Sequence, residues 1–495
     1  MVFNSFPFIF LFLPVAVCGF YFLARRNNGW ALTWLTLASL VFYGSWDYRY
    51  LPILLGSVLV NFAACRWIIA GRGAKMRLTT GIIFNLGLLG FFKYVNFFIG
   101  TINDVAGNSL PPLDIILPIG ISFFTFTQIA VLVDAYRGKI REIGFLQYCL
   151  FASYFPYIVA GPILRQEEML PQFGGTGRRT GEKFFAPPRA DDFAVGIAIF
   201  VFGLAKKLLI ADNLAAAMSP VFAGSEPQLL QAWLGMLAYT FQLYFDFSGY
   251  SDMAIGVSRL FGFTIPINFN SPYKAVSVSD FWQRWHISLS QFLKNYLYIP
   301  LGGNRNGQLM RYRNLVLTML LGGLWHGANW TFVVWGGLHG LYLCVQHGWQ
   351  NVQKGKGRNK PVSLFGAASR LLACRVLTFL AVMIAWCFFR APDISSALAV
   401  LSGMAGLNGV SLVEGVDGFG YFMLAASAVI AFRLPNTNEL FLSQGPSSEH
   451  SADGALALFR ANWSPSLRWG FTIGLIFALC LLSIEKTQDF IYAQF

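Results

Sequence analysis

The sequence predicts an all-α integral membrane protein, a polytopic helical bundle of about ten to twelve spans, with re-entrant and interfacial helices, around a tunnel. Three observations predict it. Of 495 residues, 56% are hydrophobic and only 12% are charged, against roughly 25% charged in a soluble chain. The apolar residues fall in runs of about 20, the length a helix needs to cross a bilayer. The loops between those runs also segregate by charge. Lysine and arginine collect at 25–26, 66–77, 137–141, 165–189, 284–313, 354–375 and 433–468, whereas 101–114, 212–228 and 391–417 carry only acidic side chains.

Basic loops stay on the cytoplasmic side, which sets the order of elements. Runs at 6–24, 30–46, 51–69, 79–100 and 115–135 then alternate without conflict. The first run is followed, not preceded, by its cations Arg25 and Arg26, so it reads as a retained helix with its N-terminus outside. The run 143–164 lies between two basic loops and is interrupted at Pro156, Gly161 and Pro162, which predicts a re-entrant segment. Runs near 192–211 and 229–261 go out and back. Residues 271–313 are too polar to span yet rich in Trp, Tyr, Phe and Leu, which fits helices lying at the cytoplasmic interface. The stretch 315–349 again has basic loops at both ends and predicts a hairpin of short or tilted helices. Broken backbone at that depth is tolerated only against protein or a water-filled cavity, so this hairpin reads as tunnel wall. The last runs, near 376–390, 418–433 and 469–484, leave the C-terminus outside. The whole of 1–495 reads as one domain, with N-terminal helices in 1–135, a core with re-entrant segments in 136–350 and C-terminal helices in 351–495.

The net charge of +13 sits in short loops between apolar runs, where it sets topology and meets anionic membrane lipid; no nucleic-acid partner is expected. Seven cysteines are scattered singly without a CxxC, which argues against a disulfide framework or a zinc site. No metal is expected elsewhere either, since His326 and His339 stand thirteen residues apart. Phosphate-loop and nucleophile-elbow patterns are absent from the sequence.

Chemistry points first to His326, inside LTMLLGGLWHGANW (317–330). A charged side chain near the bilayer centre costs about 2.5–3.5 kcal/mol or more, so a histidine there needs a reason. A desolvated imidazole stays neutral and able to accept a proton, the property of a general base. Trp325, Asn329 and Trp330, with Trp282 and Ser290, are candidates for substrate contact and the tunnel lining; on a continuous helix Asn329 and Trp330 would share the face of His326, where Asn329 orients the ring, binds an oxyanion or packs the wall. His286 lies in DFWQRWHISLSQFLKNYLYIPLGGNR (280–305), with Trp282 and Ser290 four residues to either side. Read alone, it is an interfacial structural histidine or a second catalytic one. Arg284, Lys294 and Arg305, with Arg311 and Arg313, set topology or dock a phosphate-bearing donor. Asp246 and Asp252, in FDFSGYSDM, are a carboxylate pair that could be catalytic or bind a cation; six residues apart they share a helical face poorly, so the structural reading is preferred, since buried carboxylates commonly pair with arginine or bond backbone.

Five segments together carry a resemblance: WHG at 325–327, DFWQRWHISLS, YLYIPLGGNR, FDFSGYSDMAIG and SYFPYIVAGPILR (153–165). In this order they resemble the membrane-bound O-acyltransferase family. The opening MVFNSFPFIFLFLP and the ending DFIYAQF look like its bacterial branch that O-acetylates alginate and cellulose. The resemblance implies a bundle around a tunnel, His326 as the catalytic histidine within it and His286 as the second, cytoplasm-side histidine. It implies acetyl-CoA or another acyl thioester as donor substrate, with no bound cofactor, and a polysaccharide as acceptor. A periplasmic SGNH-type acetyltransferase would be the partner, and the bacterial inner membrane the location. Alternatives are D-alanyl or other acyl transfer to a cell-wall polymer, a proton-coupled or polysaccharide transporter, and a non-catalytic scaffold.

Overall fold

The computed structural model describes residues 1–71, 73–174, 190–218, 221–222, 226–355, 364–410, 418–442, 463–486 and 490–491. Parts of the basic loops (175–189, 356–363, 443–462), the acidic stretch 411–417 and most of the closing DFIYAQF lie outside them. Among the described residues every regular element is helical. This follows from apolar surroundings, where a chain must satisfy its backbone polar groups internally.

The chain divides into two compact units that interleave along the sequence: Met1–Leu204 with Tyr250–Pro266 and Gly470–Gln494, and Ala205–Gly249 with Ile267–Trp469. One helix, the 32-residue Leu229–Leu260, runs from the second unit into the first, so no cut between consecutive segments can separate them.

The first unit contains α1 (Leu13–Ala24), α2 (Asn28–Gly44), α3 (Leu51–Ile69), α4 (Ala74–Leu89), α5 (Val95–Ala106), α6 (Ile121–Tyr136), α7 (Phe145–Ser153), the short α8 (Gln166–Met169) and α9 (Ala190–Ala205). Asn27 starts α2 by accepting from the Gly29 amide at 2.6 Å, an N-cap that satisfies one of the otherwise orphaned amides. Between α3 and α4 a buried Asn61–Asn85 pair exchanges hydrogen bonds of 3.1 and 2.6 Å. Gln128 of α6 donates to Ser57 at 2.9 Å and accepts from Tyr148 of α7 at 3.1 Å. Polar pairs of this kind join helices where lipid gives little hydrophobic drive. After α7 the chain is irregular and fully buried from Tyr154 to Ile158, as the prolines of this segment predict.

The second unit contains α10 (Asp212–Met218), most of α11 (Leu229–Leu260), α12 (Val278–Arg284), α13 (Ile287–Leu293), α14 (Gly307–His326), α15 (Trp330–Gly355), α16 (Leu364–Arg390), α17 (Ile394–Met404), α18 (Gly418–Arg433) and α19 (Thr437–Phe441). The final helix, α20 (Leu467–Ser483), lies mostly in the first unit.

Five helical stretches among the described residues are long and apolar enough to cross a membrane: Pro7–Ala24, Tyr48–Ile69, Ala74–Ala106, Ala190–Ala215 and Ala368–Arg390. Four more apolar helices have only 10–17 residues. These nine, five long and four short, stand against the ten to twelve spans expected from the apolar runs. The polar residues of α11 (Asp246, Ser248, Ser251, Asp252) are buried, which separates burial from simple hydropathy there.

The predicted hairpin at 315–349 is present as α14 and α15, and it is tightly packed. A Cβ placed on Gly323 would overlap the Phe332 carbonyl oxygen, and one on Gly336 would overlap that of Met319. Glycine at both positions lets the two backbones touch, as in close helix crossings of membrane proteins. Since backbone cannot swing aside like a side chain, Gly336→Val is expected to exceed the ~1–3 kcal/mol usual for overpacking. Size-exclusion profiles in detergent should show loss of monodisperse protein, while a Gly87→Ala control, where a Cβ meets nothing within 4 Å, should elute as wild type.

Candidate active site

His326 is the last residue of α14; Gly327 is extended (φ −159°, ψ 150°) and α15 begins at Trp330. The helix therefore ends on the histidine, and Asn329 and Trp330 do not continue its face. Asn329 instead turns the hairpin: its Oδ1 accepts from the Thr331 amide at 3.0 Å and its Nδ2 donates to the Pro392 carbonyl at 2.7 Å. Trp330 is half exposed. Trp325 stays with the histidine, their ring centroids 5.0 Å apart. Around the buried His326 ring stand Trp335 at 5.0 Å, edge-on at 87°, and Phe389 at 5.3 Å.

His286 is brought to the same place from another part of the unit. Its ring centroid lies 6.2 Å from that of His326 and 6.2 Å from that of Trp325, and it is fully buried. The helical spacing expected around it is broken: α12 ends at Arg284, α13 starts at Ile287, and His286 between them has φ 43°. Trp282 and Ser290 thus belong to different helices. A left-handed non-glycine residue costs on the order of 1–3 kcal/mol and persists where the surroundings over-determine it. Here they do. The Asn270 amide donates to the Arg284 carbonyl at 2.9 Å, and the Ile287 amide donates to the Asn268 carbonyl at 3.0 Å. The bend aims His286 Nδ1 at Asn268 Oδ1, 3.2 Å away.

That contact assigns a tautomer. The Ser288 backbone N–H, which can only donate, also reaches Asn268 Oδ1, at 3.2 Å, and the Ser288 hydroxyl donates to it at 2.9 Å. The atom is therefore an acceptor, His286 Nδ1 carries the proton, and a neutral His286 keeps its lone pair on Nε2. Asn268 went unnoticed in the sequence because nothing in INFNSPY marks one asparagine over its neighbours. Asn268→Ala removes about one buried hydrogen bond from the histidine, ~1 kcal/mol. Turnover is expected to fall roughly five- to tenfold, measured as initial rates at saturating donor with folded protein quantified in parallel.

The other residues sort by what they touch. Trp282 is buried and its Nε1 donates to His339 Nδ1 at 3.3 Å. Ser290 Oγ in α13 donates to the carbonyl of Trp285, the residue that closes α12, at 3.4 Å. Arg284 is held by Asp280 at 2.7 Å, so a large part of its charge is already matched. Lys294 and Arg305 are exposed and make no ion pair among the described residues. Asp246 pairs with a lysine, where an arginine or backbone partner was expected. Lys207 Nζ lies 2.7 Å from Asp246 and 2.8 Å from Asp212, all three side chains nearly inaccessible. Asp252 is buried in the first unit. No group of three or more His, Cys, Asp or Glu suited to a metal occurs among the described residues. The first unit also holds an open cavity of about 1100 Å³ between the basic loops near 66–70 and 139–147. Its lining mixes Arg66, Lys139 and Arg141 with Glu142 and Glu167.

Among the described residues a membrane-type helical bundle buries two imidazoles, ring centroids 6.2 Å apart, in one aromatic pocket, an arrangement chemically able to take a proton from a hydroxyl. The chain belongs to the membrane-bound O-acyltransferase family, whose profile matches residues 31–384; it is a multi-pass membrane acyltransferase. It is 44% identical over 443 residues to a peptidoglycan O-acetyltransferase of Helicobacter pylori, covering 83% of this chain and 81% of that one. It is 37% identical, over the full length of both chains, to a probable alginate O-acetylase AlgI of Azotobacter vinelandii. A teichoic acid D-alanyltransferase of Streptococcus thermophilus is 27% identical over 48% of this chain and 58% of its own.

Proposed function

We propose that the enzyme moves an acetyl group from a cytoplasmic thioester, acetyl-CoA or a carrier-bound acetyl, to a hydroxyl, for O-acetylation of a polysaccharide outside the cytoplasmic membrane. The observation that carries this reading is the pair of buried imidazoles 6.2 Å apart. His326 is the general base that takes the hydroxyl proton; such positioned transfer is worth typically ~10²–10⁴-fold in rate. His286, its protonated Nδ1 held by Asn268, presents Nε2 from the second side. Lys294 and Arg305 dock the anionic donor at the cytoplasmic face, and both chain termini lie on the opposite side. The hydroxyl belongs to a serine of an SGNH-type periplasmic partner or to the sugar itself, and transfer is direct, without an acyl-enzyme.

Full-length similarity to alginate O-acetylases supports an exopolysaccharide such as alginate as the final acceptor. A second reading, peptidoglycan, is favoured by the 44% identity to a peptidoglycan O-acetyltransferase. D-alanyl transfer has weaker support, because the D-alanyltransferase similarity covers about half the chain. Deleting the gene and measuring ester-linked acetate on each isolated polymer decides between the two acceptors. Loss from exopolysaccharide alone supports the first reading, and loss from peptidoglycan alone supports the second. Unchanged acetate on both, with a changed flux of intact polymer, would instead mark a transporter.

A further inference from the structure

A third histidine lies one aromatic ring away from His326. His339 and Trp335 sit on α15 four residues apart, hence on one face, with ring centroids 5.0 Å apart. The Trp335 ring is in turn 5.0 Å from that of His326. Both side chains are buried, His339 at 0% and Trp335 at 1% exposure. Trp282 Nε1–H, which can only donate, points at His339 Nδ1 (3.3 Å). A neutral His339 must therefore carry its proton on Nε2, the opposite tautomer to His286. Among the described residues neither His339 Nε2 nor Trp335 Nε1 has a hydrogen-bond partner. Two adjacent N–H donors, both desolvated and both without an acceptor, are costly to a fold, at about 1–3 kcal/mol each. The Trp335 ring packs against that of His326 and the His339 ring against that of Trp335, so both donors belong to the aromatic pocket of the proposed base.

We propose that Trp335 Nε1–H and His339 Nε2–H are the donors that bind the thioester carbonyl oxygen and its oxyanion during acyl transfer. The inference rests on the acyl-transfer reading with His326 as base. The acceptor oxygen attacks the carbonyl carbon and its proton passes to His326. The carbonyl π pair moves onto oxygen, where the two N–H groups hold it. The oxyanion then re-forms C=O, the C–S bond breaks, and the departing thiolate takes the proton from His326 to leave as thiol. Trp282 acts as a positioning residue, since its bond fixes the tautomer that lets His339 donate.

Trp335→Phe tests this, because it keeps a ring against His326 and removes only the N–H. Loss of one oxyanion donor costs ~10²–10³-fold in kcat, with KM for the thioester within about threefold of wild type. His339→Phe is expected to behave alike, and Trp282→Phe to follow it more mildly. A spectroscopic readout accompanies the kinetics: the carbonyl stretch of bound ¹³C-acetyl thioester, recorded in a His326→Ala background, should move back toward its solution frequency when Trp335→Phe is added. A Trp335→Phe enzyme with kcat within threefold of wild type, or an unmoved carbonyl band, overturns the proposal. If His326→Ala alone keeps full turnover, the underlying base assignment fails instead, so the two failures are distinguishable.

Discussion

His326→Ala is expected to lower acyl transfer by ~10²–10⁴-fold, with donor binding little changed. The ring touches Trp325, Trp335 and Phe389, so its removal also leaves a gap in the aromatic pocket. For that reason His326→Phe is the companion variant: it refills the space and has no nitrogen. Both variants should be inactive if the imidazole works as a base. Activity kept by the phenylalanine variant and lost by alanine would mean that the ring only packs. Initial rates from labelled acetyl thioester, normalised to folded protein, read the difference.

Lys207→Met is expected to give the largest loss of stability. Lys207 bridges Asp212 and Asp246 at 2.8 and 2.7 Å with almost no access to water. Removing the lysine leaves two carboxylates in an apolar setting, and breaking a buried ion pair in this way costs about 3–5 kcal/mol. Replacing the whole cluster is much milder in systems where it has been done, since no unpaired charge remains. The triple variant Lys207→Met, Asp212→Asn, Asp246→Asn should therefore recover most of the lost thermal stability in detergent. A single variant that melts with the wild type would contradict the buried-cluster account.

The sequence revealed the chemistry of the site more clearly than its geometry. His326 stood out because lipid penalises ionisable groups, and the hairpin around it followed from two basic loops bracketing one apolar stretch. His286 could be placed only as the second member of a motif, since its spacing suggested a continuous helix. The left-handed bend at that residue depends on backbone bonds to Asn268 and Asn270, eighteen and sixteen residues upstream, and local pattern does not encode such pairing. Asn329 illustrates the opposite failure: helical periodicity carries its face one turn past a helix whose last residue is His326. Lys207 was invisible for a different reason. A lysine in an apolar run reads as a topology signal until its two carboxylates, five and thirty-nine residues away, are seen beside it. His339 and Trp335 carry a faint signal, a polar ring and an indole at helical spacing, which acquires meaning only once Trp282 is known to occupy Nδ1.

The most direct test of the account is acetyl transfer by the purified enzyme in sealed proteoliposomes. Labelled acetyl thioester is supplied on the face that carries Lys294 and Arg305, and ester-linked acetate is measured on a hydroxyl acceptor held on the other face. The account predicts labelled ester on the far side with the wild type, and ~10²–10⁴-fold less with His326→Ala. Equal transfer by the two proteins, or label that stays on the thioester with both while intact polymer crosses the membrane, would contradict it.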